Sequence, residues 1–222
     1  CSHPYGIMYI DKRKVKDKTK YYLGHSFREG DKVHKIRKFL GFDLDGVIID
    51  HTQKKILLAA AYGYQLQPRQ TPSEIIEKIL SQNHLDEIKY LLYTHPEAAL
   101  EQPLMAGVKS FLQFLKEKNT PFYLISRRRQ GELAIELLKL QNLWPDFFNE
   151  SNAVFVDKKE DKNIQAKKWG ITHYLDDEFP VLDCMTNVPN RYLFDPHGVW
   201  SNFPTYPRIR SWSEALVKLE LL

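Results

Sequence analysis

The sequence predicts an α/β fold built on a parallel sheet. From residue 39 onward, short segments rich in β-branched and aromatic residues alternate with segments whose apolar residues recur every three or four positions. This alternation is typical of parallel strands joined by crossover helices. A length of 222 residues is enough for one sizeable core that carries one inserted or appended module.

Five candidate strands and four candidate helices make up the alternation. The strands are expected at 39–45, 121–126, 152–156, 172–176 and 190–194. The helices are expected at 104–118, 130–142, 161–169 and 212–221. Gly170 is a good stop signal for the third helix, and Ser211 with Glu214 forms a capping box before the last one.

The stretch 51–103 interrupts this pattern with three helix-like segments and no strand. The segments KKILLAAAYGY, TPSEIIEKIL and LDEIKYLLYTH are separated by Pro-containing turns. An all-helical insertion after the first strand would overhang the carboxyl edge of the sheet, where open α/β sheets bind ligands. We therefore expect a helical cap at 51–103 over a core formed by 39–50 and 104–222.

The first 38 residues differ from the rest in charge. Residues 1–40 hold 11 Lys or Arg against 4 Asp or Glu, whereas the remainder holds 21 against 24. The runs KYYLGHSFR and KVHKIRKFLG flank the turn-forming EGD, which predicts a basic β-hairpin arm at 1–38. Its interleaved aromatic residues could bind nucleic acid through 12–38, or the arm could pack on the sheet edge and stabilise or dimerise the domain.

Composition argues against several classes of protein. Apolar residues make up 43% of the chain and aromatic residues 13%, which is globular and not disordered. The longest apolar run, at 56–64, is far shorter than the roughly 20 residues of a membrane span, so no membrane partner is expected. Cys1 and Cys184 give no disulfide framework and CSHPYGI no signal-peptide core, so we expect a processed, trimmed or tagged cytoplasmic chain.

The stretch FDLDGVIID at 42–50 places Asp43 and Asp45 in an apolar run. Alternation puts both side chains on one side of the strand, and burying such charges without partners costs several kcal/mol. Polar clusters at the ends of later strands can provide the partners, namely ISRRR, VDKKEDK and YLDDE. Because these strand ends share one edge, the sequence predicts a crevice of acids, a hydroxyl and a lysine, for which Mg²⁺ is the usual ion.

In this order, DLDGV, LIS, a helix-opening lysine and LDD resemble the four motifs of the haloacid dehalogenase (HAD) superfamily of phosphatases. The resemblance covers residues 39–222 and leaves the basic arm outside. It implies a three-layer Rossmannoid fold with the strand order 5-4-1-2-3 and a small helical cap. It also implies a Mg²⁺-dependent phosphomonoester hydrolase that works through an aspartyl phosphate on a small phosphorylated metabolite.

The resemblance implies a role for each motif residue. Asp43 would be the nucleophile, and Asp45 the general acid and then the general base. Gly46 would allow a sharp turn beneath the phosphate. Ser126 and Lys162 would bind the phosphoryl group, and Lys162 fits the pattern better than Lys158 or Lys159.

The implied Mg²⁺ ligands are Asp43, Asp45, Asp176 and Asp177, with residue 45 contributing its backbone carbonyl. Among the three arginines that follow Ser126, only one is expected to point inward, and Arg127 is the predicted substrate-binding residue. The histidines at 51, 84, 95 and 173 lack metal-ligand spacing and are interpreted as structural or surface residues.

Two features narrow the substrate. YLFD and RIRSWSEAL near the C-terminus are similar to the ending of the 5'(3')-deoxyribonucleotidase branch, which implies a nucleotide. Trp200, Phe203 and Tyr206 would either pack against the body or stack on a base. The alternative function is a nucleic-acid-associated protein whose phosphatase body acts on polynucleotide ends or serves as a scaffold. The pattern specifies no oligomeric state.

Overall fold

A computed structural model describes residues 7–15, 18–29, 32–129, 131–202 and 205–221, and for residues 7–37 the backbone alone. Two separate sheets are present within these ranges. The first is antiparallel, with the strand order β1-β2-β3: β1 (Ile7–Val15), β2 (Lys18–Glu29) and β3 (Lys32–Arg37). The sequence predicted a hairpin here, and the predicted hairpin strands do pair, as β2 and β3. The structure differs from this prediction by a third strand, β1, which pairs with β2 along its whole length.

The second sheet is parallel and has six strands in the order β6-β5-β4-β7-β8-β9. Their bounds are β4 (Leu40–Phe42), β5 (Phe122–Ser126), β6 (Ala153–Phe155), β7 (His173–Asp176), β8 (Asn190–Phe194) and β9 (Arg208–Ile209). The five predicted strands follow the expected order 5-4-1-2-3. The addition is β9, a two-residue strand beyond β8 that is too short to leave a periodic pattern.

Eight α-helices lie within the described ranges. They are α1 (Thr52–Ala61), α2 (Ser73–Ile76), α3 (Gln82–Tyr93), α4 (Val108–Glu117), α5 (Gly131–Leu140), α6 (Lys159–Trp169), α7 (Phe179–Cys184) and α8 (Trp212–Lys218). As expected, α6 ends at Gly170 in the left-handed conformation, and Ser211 caps α8 by accepting the N–H of Glu214. The sequence predicted no helix at α7, which has only six residues.

The parallel sheet lies between two helical layers, because successive strand residues point to opposite faces. On one face, Leu124 and Leu175 pack in a cluster with α4, α5 and α8, where Trp212 is fully buried. On the other face, Ile125 and Tyr174 pack with residues of α6 and α7. The fold is therefore a three-layer α/β sandwich.

Residues 51–103 form helices and turns without a strand, and they have an apolar cluster of their own. Leu85, Ile88 and Leu92 of α3 pack there with Ala59 of α1. This segment begins after residues 43–50, which continue from the carboxyl end of β4. None of the helices in the described ranges is long and apolar enough to cross a bilayer.

The two ends of the α/β core lie close together. The buried ammonium of Lys38 donates to the carbonyl of Leu219 at 2.6 Å and to that of Glu220 at 3.1 Å. It also pairs with the Glu220 carboxylate at 3.0 Å. One side chain thus joins the segment before β4 to the segment after α8.

Candidate active site

The candidate site lies where three neighbouring strands end. Asp43 follows β4, Ser126 ends β5 and Asp176 ends β7. These strands are adjacent and parallel, so their carboxyl ends share one edge of the sheet. Lys162, in the first turns of α6, reaches the same place.

Lys162 is fully buried between two carboxylates. Its Nζ lies 2.8 Å from Oδ1 of Asp43 and 2.9 Å from Oδ2 of Asp176. Burial alone would lower the pKa of Lys162, but the charges of Asp176 and Asp43 outweigh it and raise that pKa well above its usual range. The ammonium therefore stays charged. Lys158 is exposed and Lys159 half-buried, whereas Lys162 lies against both carboxylates.

A tyrosine ring covers this ammonium from the side of α6 and α7. The Tyr174 ring centroid is 5.8 Å from Nζ of Lys162, and the Tyr174 hydroxyl donates to the carbonyl of Ile125. Gly41 on β4 leaves the room for the ring, because a Cβ there would lie 2.5 Å from a Tyr174 ring carbon. A missing side chain on the central strand thus helps to shield Lys162 from water.

Asp43, Asp176 and Asp177 form a carboxylate cluster. Each offers an oxygen, and these oxygens lie within 4.8 Å of one another. Burial raises the pKa of Asp43, and it raises that of Asp176 to about 7, although Lys162 acts against both shifts. Burial and the neighbouring carboxylates of Asp176 and Glu178 raise the pKa of Asp177 well above its usual range. Three close, desolvated carboxylates without enough counter-charge fit a hard divalent cation such as Mg²⁺.

Gly46 makes room for one of these carboxylates. Its φ of +80° lies in the left-handed region, and a Cβ at this position would lie 2.2 Å from Oδ2 of Asp177. A side chain at residue 46 would therefore meet the carboxylate head-on. The predicted turn glycine has a second task, since it lets Asp177 approach the end of β4.

The carboxylate of Asp45 points away from the cluster. Its Oδ1 lies 2.7 Å from Nε2 of His51 and 3.1 Å from a terminal nitrogen of Arg128. Burial acts to raise the pKa of Asp45, but Arg128 and His51 outweigh it and hold this pKa at about 2. Asp45 was predicted among the metal ligands, and the structure does not bring its side chain into the three-carboxylate group. A role for its backbone carbonyl stays a prediction.

Ser126 and the arginines after it lie differently in the site. Ser126 is fully buried, and its Oγ accepts the backbone N–H of Arg128 at 3.1 Å. Arg127 was predicted to bind substrate, yet its side chain is 41% exposed and pairs with Glu178. The arginine that points inward is Arg128, which is 4% exposed and lies 5.4 Å from the Tyr93 ring centroid. Arg129 is exposed.

Residues of the 51–103 segment reach the same crevice, and the sequence did not indicate them. His51 was interpreted as structural or surface, but it contacts Asp45 and its ring packs edge-on against Tyr93. Lys55 lines the crevice and donates to the carbonyl of Thr71 at 2.9 Å. Glu74 accepts the backbone N–H of Phe179, which begins α7. No spacing rule links these residues to the strand ends, so only the three-dimensional arrangement identifies them.

The aromatic loop before β9 closes the other side of the crevice. Trp200 lines it together with His197, which lies 2.9 Å from the hydroxyl of Thr52 on α1. The Trp200 ring packs edge-on against Phe179, and Tyr206 lies 6.3 Å from the same ring. The predicted packing of these rings on the body is therefore observed for Trp200 and Tyr206, while Phe203 lies outside the described residues.

No family model matches the sequence, and no curated protein matches it either. Solved structures do match the fold. A HAD family hydrolase from Deinococcus radiodurans R1, with bound phosphate and sodium, superposes with a TM-score of 0.59 at 15% identity, covering 83% of this chain and 96% of that one.

Two further solved structures agree with this result. A HAD-superfamily hydrolase from Ehrlichia chaffeensis has a TM-score of 0.52 at 13% identity, covering 84% of this chain and 98% of that one. A predicted phosphoglycolate phosphatase from Haemophilus somnus has a TM-score of 0.53 at 11% identity, with coverage of 82% and 98%. With its sheet order and three layers, the chain has the fold of the HAD superfamily.

Proposed function

We propose that this protein is a Mg²⁺-dependent phosphomonoester hydrolase that works through an aspartyl phosphate on Asp43. The observation that carries the proposal is the position of Lys162, which is buried between Asp43 and Asp176 at 2.8 and 2.9 Å. A fixed positive charge between acids, beside a three-carboxylate cluster, is suited to a phosphoryl group and to a divalent cation.

In the first step, a carboxylate oxygen of Asp43 would attack phosphorus while the bond to the leaving oxygen breaks. Lys162 favours the ionised form of this carboxylate and would neutralise charge on the phosphoryl group. Ser126, at the end of β5, would bind a phosphoryl oxygen. Mg²⁺, held by Asp43, Asp176 and Asp177, would supply further neutralisation of the phosphoryl charge.

Asp45 would move the protons. Without substrate its pKa of about 2 keeps it ionised, which is the form needed to activate water in the second step. In the first step it must carry a proton for the leaving oxygen, and the negative phosphoryl group beside it would raise its pKa toward that state. His51 and Arg128 hold its carboxylate in position for both steps.

The substrate would be a small phosphorylated metabolite, and nucleotides are one candidate class. The Deinococcus protein that shares the fold was solved with bound phosphate and sodium, which supports a substrate that carries a phosphate group. Trp200 on the wall of the crevice supports a planar substrate group. Comparing turnover of nucleotides and sugar phosphates at equal concentration would test this choice.

The decisive experiment is Asp43→Asn with a generic aryl phosphate. We expect kcat to fall by at least about 10³-fold, because the nucleophile is lost, while the circular dichroism spectrum is unchanged. Acid-quenched intact-mass spectrometry should detect one added phosphoryl group on the wild type and none on the variant. Asp146→Asn, at an exposed aspartate, is the matched control. Full activity of Asp43→Asn would show that Asp43 is not the nucleophile. In a separate test, a chelator should abolish turnover by the wild type, and added Mg²⁺ should restore it.

A second candidate function is nucleic-acid binding by the antiparallel sheet. The strand register pairs Arg13 with Lys20 and Ser26 with Lys35, and residues paired in this way occupy the same face. By alternation that face carries six basic positions and one acidic position among the paired residues: Arg13, Lys18, Lys20, Arg28, Lys35, Arg37 and Asp11. This basic face supports binding to a phosphate backbone.

Two triple variants of the full chain test this second candidate. The first variant removes three charges from the basic face by changing Arg13, Lys20 and Lys35 to Gln. The second removes three charges from the opposite face by changing Lys12, Lys14 and Lys32 to Gln. If the sheet binds single-stranded oligonucleotides, affinity should depend less steeply on salt in the first variant. The negative slope of log affinity against log salt should become shallower by about 2. Equal effects of the two variants would argue against a specific face.

A further inference from the structure

We propose that Arg128 forms a second anion subsite, which selects phosphomonoesters whose leaving group carries a carboxylate or another phosphate. This inference rests on the proposed phosphatase function and narrows its substrate class. It concerns an arginine that the comparison with the family's motifs leaves without a role.

The guanidinium of Arg128 is buried and only partly paired. One terminal nitrogen lies 3.1 Å from Oδ1 of Asp45 and 3.5 Å from the carbonyl of Leu92. The other terminal nitrogen and Nε are also buried, and they have no hydrogen-bond partner among the described residues. Buried donors without partners are uncommon in folded proteins and destabilise them. Donors kept in this way call for an acceptor that arrives with a ligand.

The neighbours of Arg128 place this acceptor close to the reaction. Asp45, which would protonate the leaving oxygen, contacts the guanidinium directly. Tyr93 and Leu92, at the end of α3, cover it from the other side. A group bound by Arg128 would therefore belong to the leaving group, a few bonds from the oxygen that accepts the proton. Short phosphomonoesters with a terminal anion fit this spacing.

The chemistry of the arginine favours an anion over a neutral acceptor. A guanidinium presents parallel N–H groups that match the two oxygens of a carboxylate or phosphate. The other nearby cations already have partners in the protein: Arg127 pairs with Glu178, and Lys55 donates to the carbonyl of Thr71. The two unpaired nitrogens of Arg128 thus form the free anion-binding group on the leaving-group side, among the described residues near Asp45.

Three substrates of equal chain length test the proposal with the full-length protein. They are propyl phosphate, the phosphate ester of 3-hydroxypropionate and propane-1,3-diol bisphosphate. We expect the wild type to prefer one or both anionic esters in kcat/KM by about 10- to 100-fold, the range of a charge-assisted hydrogen-bonded pair. Which ester is preferred identifies the anion as carboxylate or phosphate.

The variant that tests the residue is Arg128→Gln, with Arg129→Gln at the exposed neighbour as the matched control. Arg128→Gln also frees Asp45, so turnover of all three esters should fall. The informative quantity is the ratio of anionic to neutral kcat/KM, which should approach one in Arg128→Gln and persist in Arg129→Gln. Arg128→Lys keeps the charge but lacks the planar guanidinium, so its ratio of anionic to neutral kcat/KM should be intermediate. This second variant keeps the proposal testable if Arg128→Gln does not fold.

Binding to Asp43→Asn, measured by calorimetry, separates this inference from the proposed function. The uncleaved anionic esters should bind more tightly than propyl phosphate, and Arg128→Gln in the same background should remove the difference. A wild type that hydrolyses all three esters equally, or a ratio that survives Arg128→Gln, would overturn the anion subsite and leave the phosphatase intact. Hydrolysis of none of them, with an Arg128-dependent binding preference, would overturn the phosphatase and support the subsite.

Discussion

The substitution Gly46→Ala separates backbone strain from damage to the carboxylate cluster. Gly46 has φ +80°, and an added Cβ would lie 2.2 Å from Oδ2 and 2.5 Å from Cγ of Asp177. Gly63 offers a matched control, because its φ is +84° and a Cβ there meets nothing within 4 Å. Both variants should therefore lose about 1–2 kcal/mol of stability from the left-handed backbone, but only Gly46→Ala should displace Asp177.

The expected displacement is large enough to affect cation binding. An ordinary contact needs well over 3 Å, so the Asp177 carboxylate must retreat by about 1 Å or rotate out of the cluster. Disturbing a metal ligand in this way should weaken Mg²⁺ binding by at least about tenfold. Calorimetric titration of the chelator-treated protein measures this affinity without relying on turnover, and urea unfolding measures the strain. If Gly46→Ala binds Mg²⁺ as tightly as Gly63→Ala does, Asp177 is not a ligand and the assignment is wrong.

Two further predictions concern buried charges. Lys162→Met leaves Asp43 and Asp176 without their shared cation and should lower the free energy of unfolding by about 3–5 kcal/mol in chelator; Lys168→Met, exposed on the same helix, should change it by no more than about 0.5 kcal/mol. A loss equal to that control would mean that the buried ammonium is not needed. Burial and the charge of Lys38, opposed by Glu220, lower the pKa of His173 to about 4. Between about pH 6.5 and 4, His173 is therefore protonated in the unfolded chain but neutral in the native protein. As the pH falls from about 6.5 to about 4, the free energy of unfolding should therefore decrease by at most about 3 kcal/mol. The decrease should be smaller than this limit, because the ring is not fully desolvated. His173→Gln should remove that part of the pH dependence in urea unfolding, and an unchanged profile would refute the assignment.

The sequence predicted the elements of the α/β core that are long enough to carry a period. The five core strands appear within two or three residues of their expected ends, and their order is the one that the resemblance to the HAD superfamily implies. Besides β1, which joins the predicted hairpin as a third strand, the sequence missed β9 and α7, which have two and six residues. At these lengths tertiary contacts decide the conformation, and no pattern is available to predict them.

The same division applies to the candidate site. Asp43, Ser126 and Asp176 could be placed together because each lies at the carboxyl end of a parallel strand. Lys162 was chosen over the neighbouring lysines by the resemblance to the family's motifs, and it lies in the first turns of α6. Which of three consecutive arginines turns inward depends on where α5 begins and on the Tyr93 ring, so Arg127 was chosen and Arg128 is the buried one. His51 was interpreted as a structural or surface residue, because no sequence spacing indicates its contact with Asp45.

The contact of Lys38 with Leu219 and Glu220 has a consequence for engineering. Because the first and last segments of the core touch, a linker can join them. The chain could then begin and end elsewhere without any strand changing its place in the sheet. A circular permutant that joins these segments with a short linker, and opens at an exposed turn far from Asp43, should keep every strand pairing of the six-stranded sheet. The catalytic layout could then be carried as a loop insertion inside another protein, with both attachment points on one side.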